Sequence, residues 1–517
     1  MEETNIISCR HKYLKQLKQY VNAEMEASQS FRWPLERFST ILETVLDHIH
    51  PEHMNHFIND LYTDGRYKWN LLLIAAKDGY CNITERLIKE LNVNIEVEGV
   101  VEYENYIIRG ASPLWCAAAS GHFNIVKLLV SYGANVNHYT ETHSTPLRAA
   151  CFNGRLDIVK YLIEHGADQE IANVYDNTCL MISSYKGCLE VIDYLCKTGC
   201  DINRSDYEAV TALHAAAGEN HLHIVQCLIK NGAIISKNSK GLTPLLEAAL
   251  NLNVSVVDYF TDDTSNLFSQ LECIEAFELL ATSYTDYYVD NSNTEKLYEY
   301  LLKAMQLRYS DPNKPILKAV LPPSETYENH IECNTLEELK LIQHNADSLF
   351  MEAFVVRERI LGPKHETLIP NLLYRGAAYA DQKRFDRCFS LWLRALDVKK
   401  SNDELKIDDF ERFAGIFDKM CHEDVDDFPF SVYVVVLRNI IQELISMKCK
   451  SKSFNLLTVL YLIVIIAKVM LLKTTNEQIE ICNLIYYLNS FNFKTNNGST
   501  LLHLCVNENT SVDTINF

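Results

Sequence analysis

A phrase of about 33 residues recurs through the first half of the chain. Two of its copies read SPLWCAAASGHFNIVKLLVSYGAN and STPLRAACFNGRLDIVKYLIEHGAD. One leucine of each copy sets the register with intervals of 33, 33, 33 and 32 residues, at Leu114, Leu147, Leu180, Leu213 and Leu245. A fixed period of this length indicates stacked structural units, because one copy cannot bury its apolar face alone.

Each copy predicts two packed helices. A threonine or serine side chain caps the first helix and proline fits its first turn, as at Thr145 and Pro146. Small residues such as Ala149 and Ala150 allow close stacking, and Gly154 ends the helix. This period and pattern are typical of ankyrin repeats. We therefore expect an all-α ankyrin-repeat solenoid with a concave groove over residues 65–262.

An acidic insertion interrupts the first two copies. The glycines Gly79 and Gly121 are 42 residues apart, nine more than the period. The extra residues lie at about 96–109, within VNIEVEGVVEYENYIIRGAS, and include Glu102 and Glu104. We expect a hairpin-like extension beside the concave surface, where insertions into repeats usually mark the binding side.

The remaining chain is expected to be helical. The sequence pattern of residues 263–400 predicts a tetratricopeptide-like helical region with a linker at about 310–330. The pattern of residues 401–490 predicts further apolar helices. The tetratricopeptide spacing is carried by Leu372, Gly376, Tyr379, Cys388, Trp392 and Ala395. A capping box at Thr335 and Glu338 opens one helix. An N-terminal helical extension over 1–64 and an incomplete second ankyrin block over 491–517 complete the expected organisation.

The charge and cysteine content restrict the partners and the compartment. Forty-eight basic and 68 acidic residues leave a formal charge of -20, which disfavours nucleic acid and anionic membranes as partners. Sixteen cysteines without a C-x-x-C pair favour a reducing compartment, the cytoplasm or also the nucleus. Asn455 and Lys468 interrupt the apolar segment 454–472, which favours a buried helix over a membrane span.

Motifs for catalysis or cofactor binding are absent from the sequence, so we expect a non-catalytic protein without a cofactor. Cys196 and Cys200, with His221 and His223, form a weak zinc pattern. Neighbouring copies place buried small or apolar residues at the two cysteine positions, which favours a core role. Structural roles in the repeat turns are likewise expected for His122, His214, His221 and His503.

The residues that vary between copies indicate where a ligand binds. The position before the helix-ending glycine is polar in each copy, as Asp78, Ser120, Asn153, Lys186 and Glu219. Phe152 and Tyr185 precede two of these residues, and Trp115 and the acidic insertion lie near them. This column predicts a groove for an extended peptide with a cationic side chain. Solvated helix ends are the alternative interpretation, and the pattern alone does not separate the two.

Longer phrases resemble one family. RGASPLWCAAASGHFNIVKLLVSYGANVNHYTETHSTPLRAACFNGRLDIVKYLIEHGAD, NTCLMISSYKG, RERILGP and YRGAAYAD are similar to the Fem-one (feminization) family over roughly residues 65–510. The resemblance implies a substrate receptor of a cullin-RING E3 ubiquitin ligase, whose ankyrin array binds C-terminal degrons that often end in arginine. It also implies that Glu104, Ser144 and Asn153 hold the basic end of the degron, with Trp115 as a wall. Glu102 of the acidic insertion and the aromatic residues Phe152 and Tyr185 complete the expected degron-binding residues.

The chain departs from this family at two places. Asn153 stands where the family has an acidic residue, and a neutral hydrogen bond contributes about 1 kcal/mol against about 1.5–3 kcal/mol for a charged one. The family binds elongin B/C and a cullin through a C-terminal tail, and we expect this chain to lack that tail. The alternative function is an ankyrin and tetratricopeptide scaffold that joins cytosolic proteins without a role in ubiquitination.

Overall fold

A computed structural model of the chain describes residues 61–64, 66–262, 267–285, 291–423, 428–449, 457–469 and 475–490. The chain divides into two compact units, Met1–Phe268 and Ser269–Phe517, which we call the first and the second unit. Most described residues are helical, which confirms the all-α class with one small sheet as the exception.

The repeats of the first unit form six successive helix pairs between residues 71 and 261. Apolar residues recur every three or four positions in the second helices, and these faces are buried against neighbouring pairs. The first helices are α1 (Leu71–Asp78), α3 (Pro113–Ser120), α5 (Pro146–Phe152), α7 (Cys179–Lys186), α9 (Ala212–Gly218) and α11 (Pro244–Leu250). The second helices are α2 (Cys81–Lys89), α4 (Phe123–Ser131), α6 (Leu156–Glu164), α8 (Leu189–Lys197), α10 (Leu222–Lys230) and α12 (Val254–Thr261).

The predicted helix caps are confirmed. The Thr145 side chain accepts a hydrogen bond from the Arg148 amide at 3.1 Å, and Thr211 and Thr243 cap α9 and α11 in the same way. Gly121 ends α3 with φ of 81°, a left-handed conformation that glycine adopts without steric cost. Each repeat therefore carries its own start and stop signals.

Histidines connect neighbouring repeats, as their repeat positions predicted. His122 Nε2 lies 3.0 Å from the Lys77 carbonyl oxygen, and His221 Nε2 lies 3.1 Å from that of Tyr185. His214 is buried and bridges Thr211 and the Leu242 carbonyl of the next repeat. His503 lies outside the described residues.

The first unit also contains a four-stranded antiparallel sheet. Its strands are β1 (Tyr62–Asp64), β2 (Tyr67–Trp69), β3 (Gly99–Tyr103) and β4 (Tyr106–Ala111), in that order. The acidic insertion thus forms the β3–β4 hairpin. Our assignment of residues 62–64 to a helical extension was wrong, because these residues pair with β2 at the edge of the sheet.

The described residues of the second unit form helices joined by loops, and no strand lies among them. Two short 3-10 turns, Glu325–Tyr327 and Ile407–Phe410, separate some of its helices. The helices are α13 (Gln270–Ser283), α14 (Asn291–Arg308), α15 (Leu336–Ile342), α16 (Ala346–Leu361), α17 (Leu368–Asp381), α18 (Phe385–Ser401), α19 (Glu411–Glu423), α20 (Phe430–Cys449), α21 (Leu457–Val469) and α22 (Thr475–Ser490). The capping box at Thr335 and Glu338 is present at the start of α15.

Helices α17 and α18 form a closely packed hairpin. A Cβ atom on Gly376 would lie 2.3 Å from Trp392 Nε1, so only glycine allows this approach. The Trp392 indole donates to the Leu373 carbonyl at 2.9 Å. The tetratricopeptide assignment of this hairpin stays a prediction.

The long apolar segment contributes α21, in which Val459, Leu462 and Ile465 are fully buried. Within the described part of the chain, every helix is too short or too polar to span a bilayer. The expected second ankyrin block at 491–517 and the extension over 1–60 lie outside the described residues.

Candidate functional site

The tip of the β3–β4 hairpin presents Glu104. Glu104 and Asn105 form its two-residue loop with φ of 47° and 68°, the geometry of a tight turn whose twist matches the strands. A glutamate is unusual in this left-handed conformation, and such residues are concentrated at functional positions. The Glu104 side chain is exposed and forms no hydrogen bond or ion pair with another described residue. Its carboxylate is therefore available to a ligand.

Tyr103 connects the hairpin to the repeats. Its hydroxyl donates to the Ala119 carbonyl at the end of α3, at 2.7 Å. Its ring meets Trp115 edge to face, with centroids 6.0 Å apart. The Trp115 indole in turn donates to Ser144 Oγ at 3.2 Å. The hairpin, α3 and the segment before α5 thus meet around one aromatic pair, and Ser144 keeps its hydroxyl hydrogen for another acceptor.

Asn153 lies at the end of α5 beside the same carbonyl. Its side-chain Nδ2 donates to the carbonyl oxygens of Ala119 at 3.0 Å and Ala149 at 3.2 Å. These two acceptors assign the amide orientation, because Oδ1 in that place would face other oxygens. Asn153 Oδ1 has no hydrogen-bond donor among the described residues and can accept one from a ligand.

Charges of both signs act on Tyr103. Burial and the Glu104 charge raise the pKa of the Tyr103 hydroxyl, while the Asn153 hydrogen bond and the Arg155 charge oppose the rise. The Arg155 guanidinium lies over Gly121, where an added Cβ atom would be 2.7 Å from its Nε. Arg155 is exposed and has no described carboxylate partner. The site therefore offers an anionic and a cationic group near one tyrosine.

Our sequence reasoning did not include Arg155 in the site. The residue occupies the repeat position that His122 and His221 hold in other copies. Those histidines bind the backbone of the preceding repeat, whereas Arg155 extends a permanent charge over the end of α3. In the sequence, the arginine at a position that is histidine in two other copies could have identified Arg155 as a candidate site residue.

Glu102 faces a different pocket. Neighbouring residues of a strand point to opposite faces, so Glu102 and Tyr103 are separated by the sheet. The Glu102 carboxylate accepts a hydrogen bond from the Tyr67 hydroxyl at 2.6 Å, the main cause of the raised pKa of Tyr67. Trp69 and Asp78 line the same pocket. Glu102 therefore lies apart from the Tyr103, Trp115 and Asn153 group.

The aromatic pair Phe152 and Tyr185 already contacts a cation of the chain. Lys186 Nζ lies 4.0 Å from the Phe152 ring centroid and 5.9 Å from that of Tyr185. This is the cation–π arrangement that we expected a peptide side chain to make. The chain's own lysine occupies it instead, which leaves the polar group around Ala119 as the better candidate.

The weak zinc pattern in the repeats is not assembled. Cys196 and Cys200 are hydrogen-bonded to each other. In the described part of the chain, no cluster with metal-ligand distances includes them or His221 and His223. Every described cysteine is a free thiol.

Known proteins match the chain in its repeats and beyond. The family model of ankyrin repeats matches in three copies, over residues 41–140, 137–206 and 205–270. A fem-1 homolog of Drosophila melanogaster is 53% identical over 329 residues, which are 64% of this chain and 48% of that protein. The fem-1 homolog C proteins of Homo sapiens and Mus musculus are each 40% identical over 164 residues, 31% of this chain and 26% of theirs.

The chain thus spans about half the length of the Drosophila relative and about a quarter of the mammalian ones. The matches confirm the resemblance read from the repeated phrases. With its stacked ankyrin repeats, the protein is a repeat-based scaffold for protein interactions. These findings together make the chain similar to the fem-1 homologs and support its placement in the Fem-1 ankyrin-repeat family.

Proposed function

We propose that the chain is a receptor for C-terminal degrons and binds the last residues of a substrate protein beside Tyr103. The observation that carries the proposal is the convergence on the Ala119 carbonyl. Tyr103 of the hairpin and Asn153 of α5 both donate to this oxygen, while Glu104 is the next residue after Tyr103. Ser144 joins the group through Trp115.

The charges suit a peptide that ends in arginine. The last residue of such a peptide carries two charged groups. The guanidinium is on its side chain, and the carboxylate is the C-terminus of the backbone. Glu104 and the Asn153 oxygen are suitable acceptors for the guanidinium. Arg155 and the Ser144 hydroxyl are suitable donors for the carboxylate. An internal sequence motif lacks the carboxylate and leaves Arg155 without a partner.

The resemblance extends the proposal to a role in ubiquitination. In this extended proposal, the chain is the substrate-recognition subunit of a cullin-RING ligase. Elongin B/C and the cullin bind a part of the protein outside the described residues. The ankyrin array would then select substrates without performing catalysis. The proposed site needs Glu104, Ser144, Asn153, Trp115 and Arg155, whereas Glu102, Phe152 and Tyr185 are engaged elsewhere.

We expect Glu104 to bind the side chain of the last peptide residue and Arg155 to bind its terminal carboxylate. Glu104→Gln should weaken a peptide ending in arginine about tenfold, since a charged hydrogen bond contributes about 1.5–3 kcal/mol, and leave an alanine-ended peptide unchanged. Arg155→Gln should weaken both peptides equally and have no effect on C-terminally amidated peptides. Fluorescence anisotropy with labelled peptides measures all of these affinities.

Glu208→Gln is the matched control, because Glu208 is also exposed and without a described side-chain partner, in a later repeat. It should leave every affinity unchanged. The degron proposal is wrong if residues appended after the terminal carboxylate do not reduce binding. In that case the internal-motif scaffold is the better description.

Asn153→Asp is expected to tighten arginine-ended peptides about fivefold, because a charged acceptor replaces a neutral one and gains about 1 kcal/mol. The free protein should lose stability, since a carboxylate cannot donate to the carbonyls of Ala119 and Ala149. Peptide titrations and thermal unfolding test the two effects. Asn251→Asp places the same charge at the same repeat position three copies later. An equal gain in that control would assign the effect to net charge alone.

A further inference from the structure

Three side chains with metal-binding atoms lie together in the second unit. His330, Cys333 and Glu352 place one donor atom each within 4.8 Å of one another. His330 Nε2 is 2.8 Å from Glu352 Oε2. Cys333 and Glu352 are buried, and the His330 side chain is 15% exposed. These residues are remote in sequence from the proposed degron site, which does not use them.

The local structure holds the three groups in place. His330 and Cys333 lie on the loop between the 3-10 turn Glu325–Tyr327 and α15, and Glu352 lies on α16. The Cys333 amide donates to both Glu352 oxygens, at 3.2 and 3.0 Å. The backbone thereby fixes the loop against the helix, so that a nitrogen, a sulfur and an oxygen atom face each other before any ligand is bound.

This combination of donors is the one that zinc prefers. Zinc binds cysteine, histidine and carboxylate in tetrahedral geometry, which separates the donor atoms by about 3.3–3.8 Å. The present separations of 2.8 Å up to 4.8 Å bracket that range. Adjustments of about 1 Å in the side chains suffice to reach tetrahedral geometry.

We propose that His330, Cys333 and Glu352 form a zinc site, with water as the fourth ligand. On binding, the Cys333 thiol loses its proton to solvent and its sulfur bonds to the ion. The hydrogen bond between His330 Nε2 and Glu352 is also broken: Nε2 releases its proton to solvent while Nδ1 carries the ring proton, and Nε2 and the Glu352 carboxylate then each form one bond to the zinc. No electron is transferred, because zinc keeps its oxidation state.

The neighbouring charges determine how strongly the site binds. Lys318 Nζ lies 3.8 Å from Glu352 Oε1 and 2.9 Å from Glu332 Oε1. This ammonium repels a divalent ion, so the affinity is lower than in a zinc site without a nearby cation.

Cobalt titration of the full chain tests the site, because a cobalt–thiolate bond absorbs in the near ultraviolet and zinc displaces the ion. We expect chelator-treated protein to bind one equivalent of Co²⁺ with this band, and one equivalent of Zn²⁺ to remove it. Cys333→Val should abolish the band. The control Cys482→Val makes the same chemical change at an exposed cysteine and should retain it.

His330→Asn provides a second variant on the partly exposed loop, for the case that Cys333→Val does not fold. It should weaken Co²⁺ binding at least about 100-fold, since even residues that only orient a ligand contribute 10- to 100-fold. Unchanged affinity in His330→Asn overturns the proposal. Absence of the band in the parent protein, or its persistence in Cys333→Val, does so too.

Discussion

Arg308→Met is expected to lower the free energy of unfolding of the second unit by about 3–5 kcal/mol, the usual cost of removing one partner of a buried ion pair. Arg308 Nε and Nη2 donate to the two Glu278 oxygens at 2.9 Å each, and both side chains are 2% exposed. Methionine fills much of the volume of the arginine side chain. It cannot replace the guanidinium charge or the two hydrogen bonds that stabilise the buried Glu278 carboxylate. Hydrogen exchange of amides in α13 and α14 measures the loss locally.

Arg438→Met is the matched control in the same unit. Arg438 pairs with Glu480, but these side chains are 56% and 39% exposed. Water screens such a pair, so its removal should cost less than about 1 kcal/mol. Equal losses in the two variants would contradict a special role for the buried pair.

The cost of Arg308→Met should depend on pH. Burial alone would raise the pKa of Glu278, but hydrogen bonding by Arg308 and the charges of Arg359 and Lys318 overcome it and lower the pKa. A lowered pKa in the folded state stabilises the protein above the unfolded value and loses this effect as pH falls through the folded value. The difference between variant and parent should therefore shrink as pH falls below the ordinary carboxyl pKa of 4.5.

Leu147→Ala is expected to destabilise the first unit by about 2–5 kcal/mol, because it removes buried methyl groups and leaves a cavity. Leu147 is fully buried in α5. In a stacked array each repeat contacts only its neighbours, so a defect in a middle repeat weakens both adjoining interfaces. Urea denaturation gives the change in the free energy of unfolding.

Leu189→Ala serves as the control, since Leu189 begins α8 with 38% of its surface exposed. Its loss should be below about 1 kcal/mol, as expected for a residue that is already partly in water. If both substitutions destabilised the unit to a similar extent, the buried leucines at the repeat position of Leu147 would not be what holds the repeats together.

Local signals were sufficient to predict the repeats of the first unit. The period, the capping threonines and the turn glycines each act over a few residues, so Thr145 and Gly121 could be assigned without a three-dimensional structure. The hairpin was likewise visible as nine extra residues, and His122 and His221 as turn residues. Strand β1 was missed because three residues carry too little periodicity to separate a strand from a helix.

The tertiary structure decided which side chains meet. Tyr103 and Asn153 belong to different elements, and only packing brings both to the Ala119 carbonyl and places Arg155 over Gly121. The orientation of the Asn153 amide and the contact of Lys186 with Phe152 also depend on neighbouring repeats.

The same holds for the buried charges of the second unit. Glu278 pairs with Arg308 across 30 residues and with Arg359 across 81. The composition and periodicity of the sequence specify its helices and their apolar faces. Pairs at such separations arise only when the folded chain excludes water, because an unpaired charge is tolerated in solvent but is costly in the core.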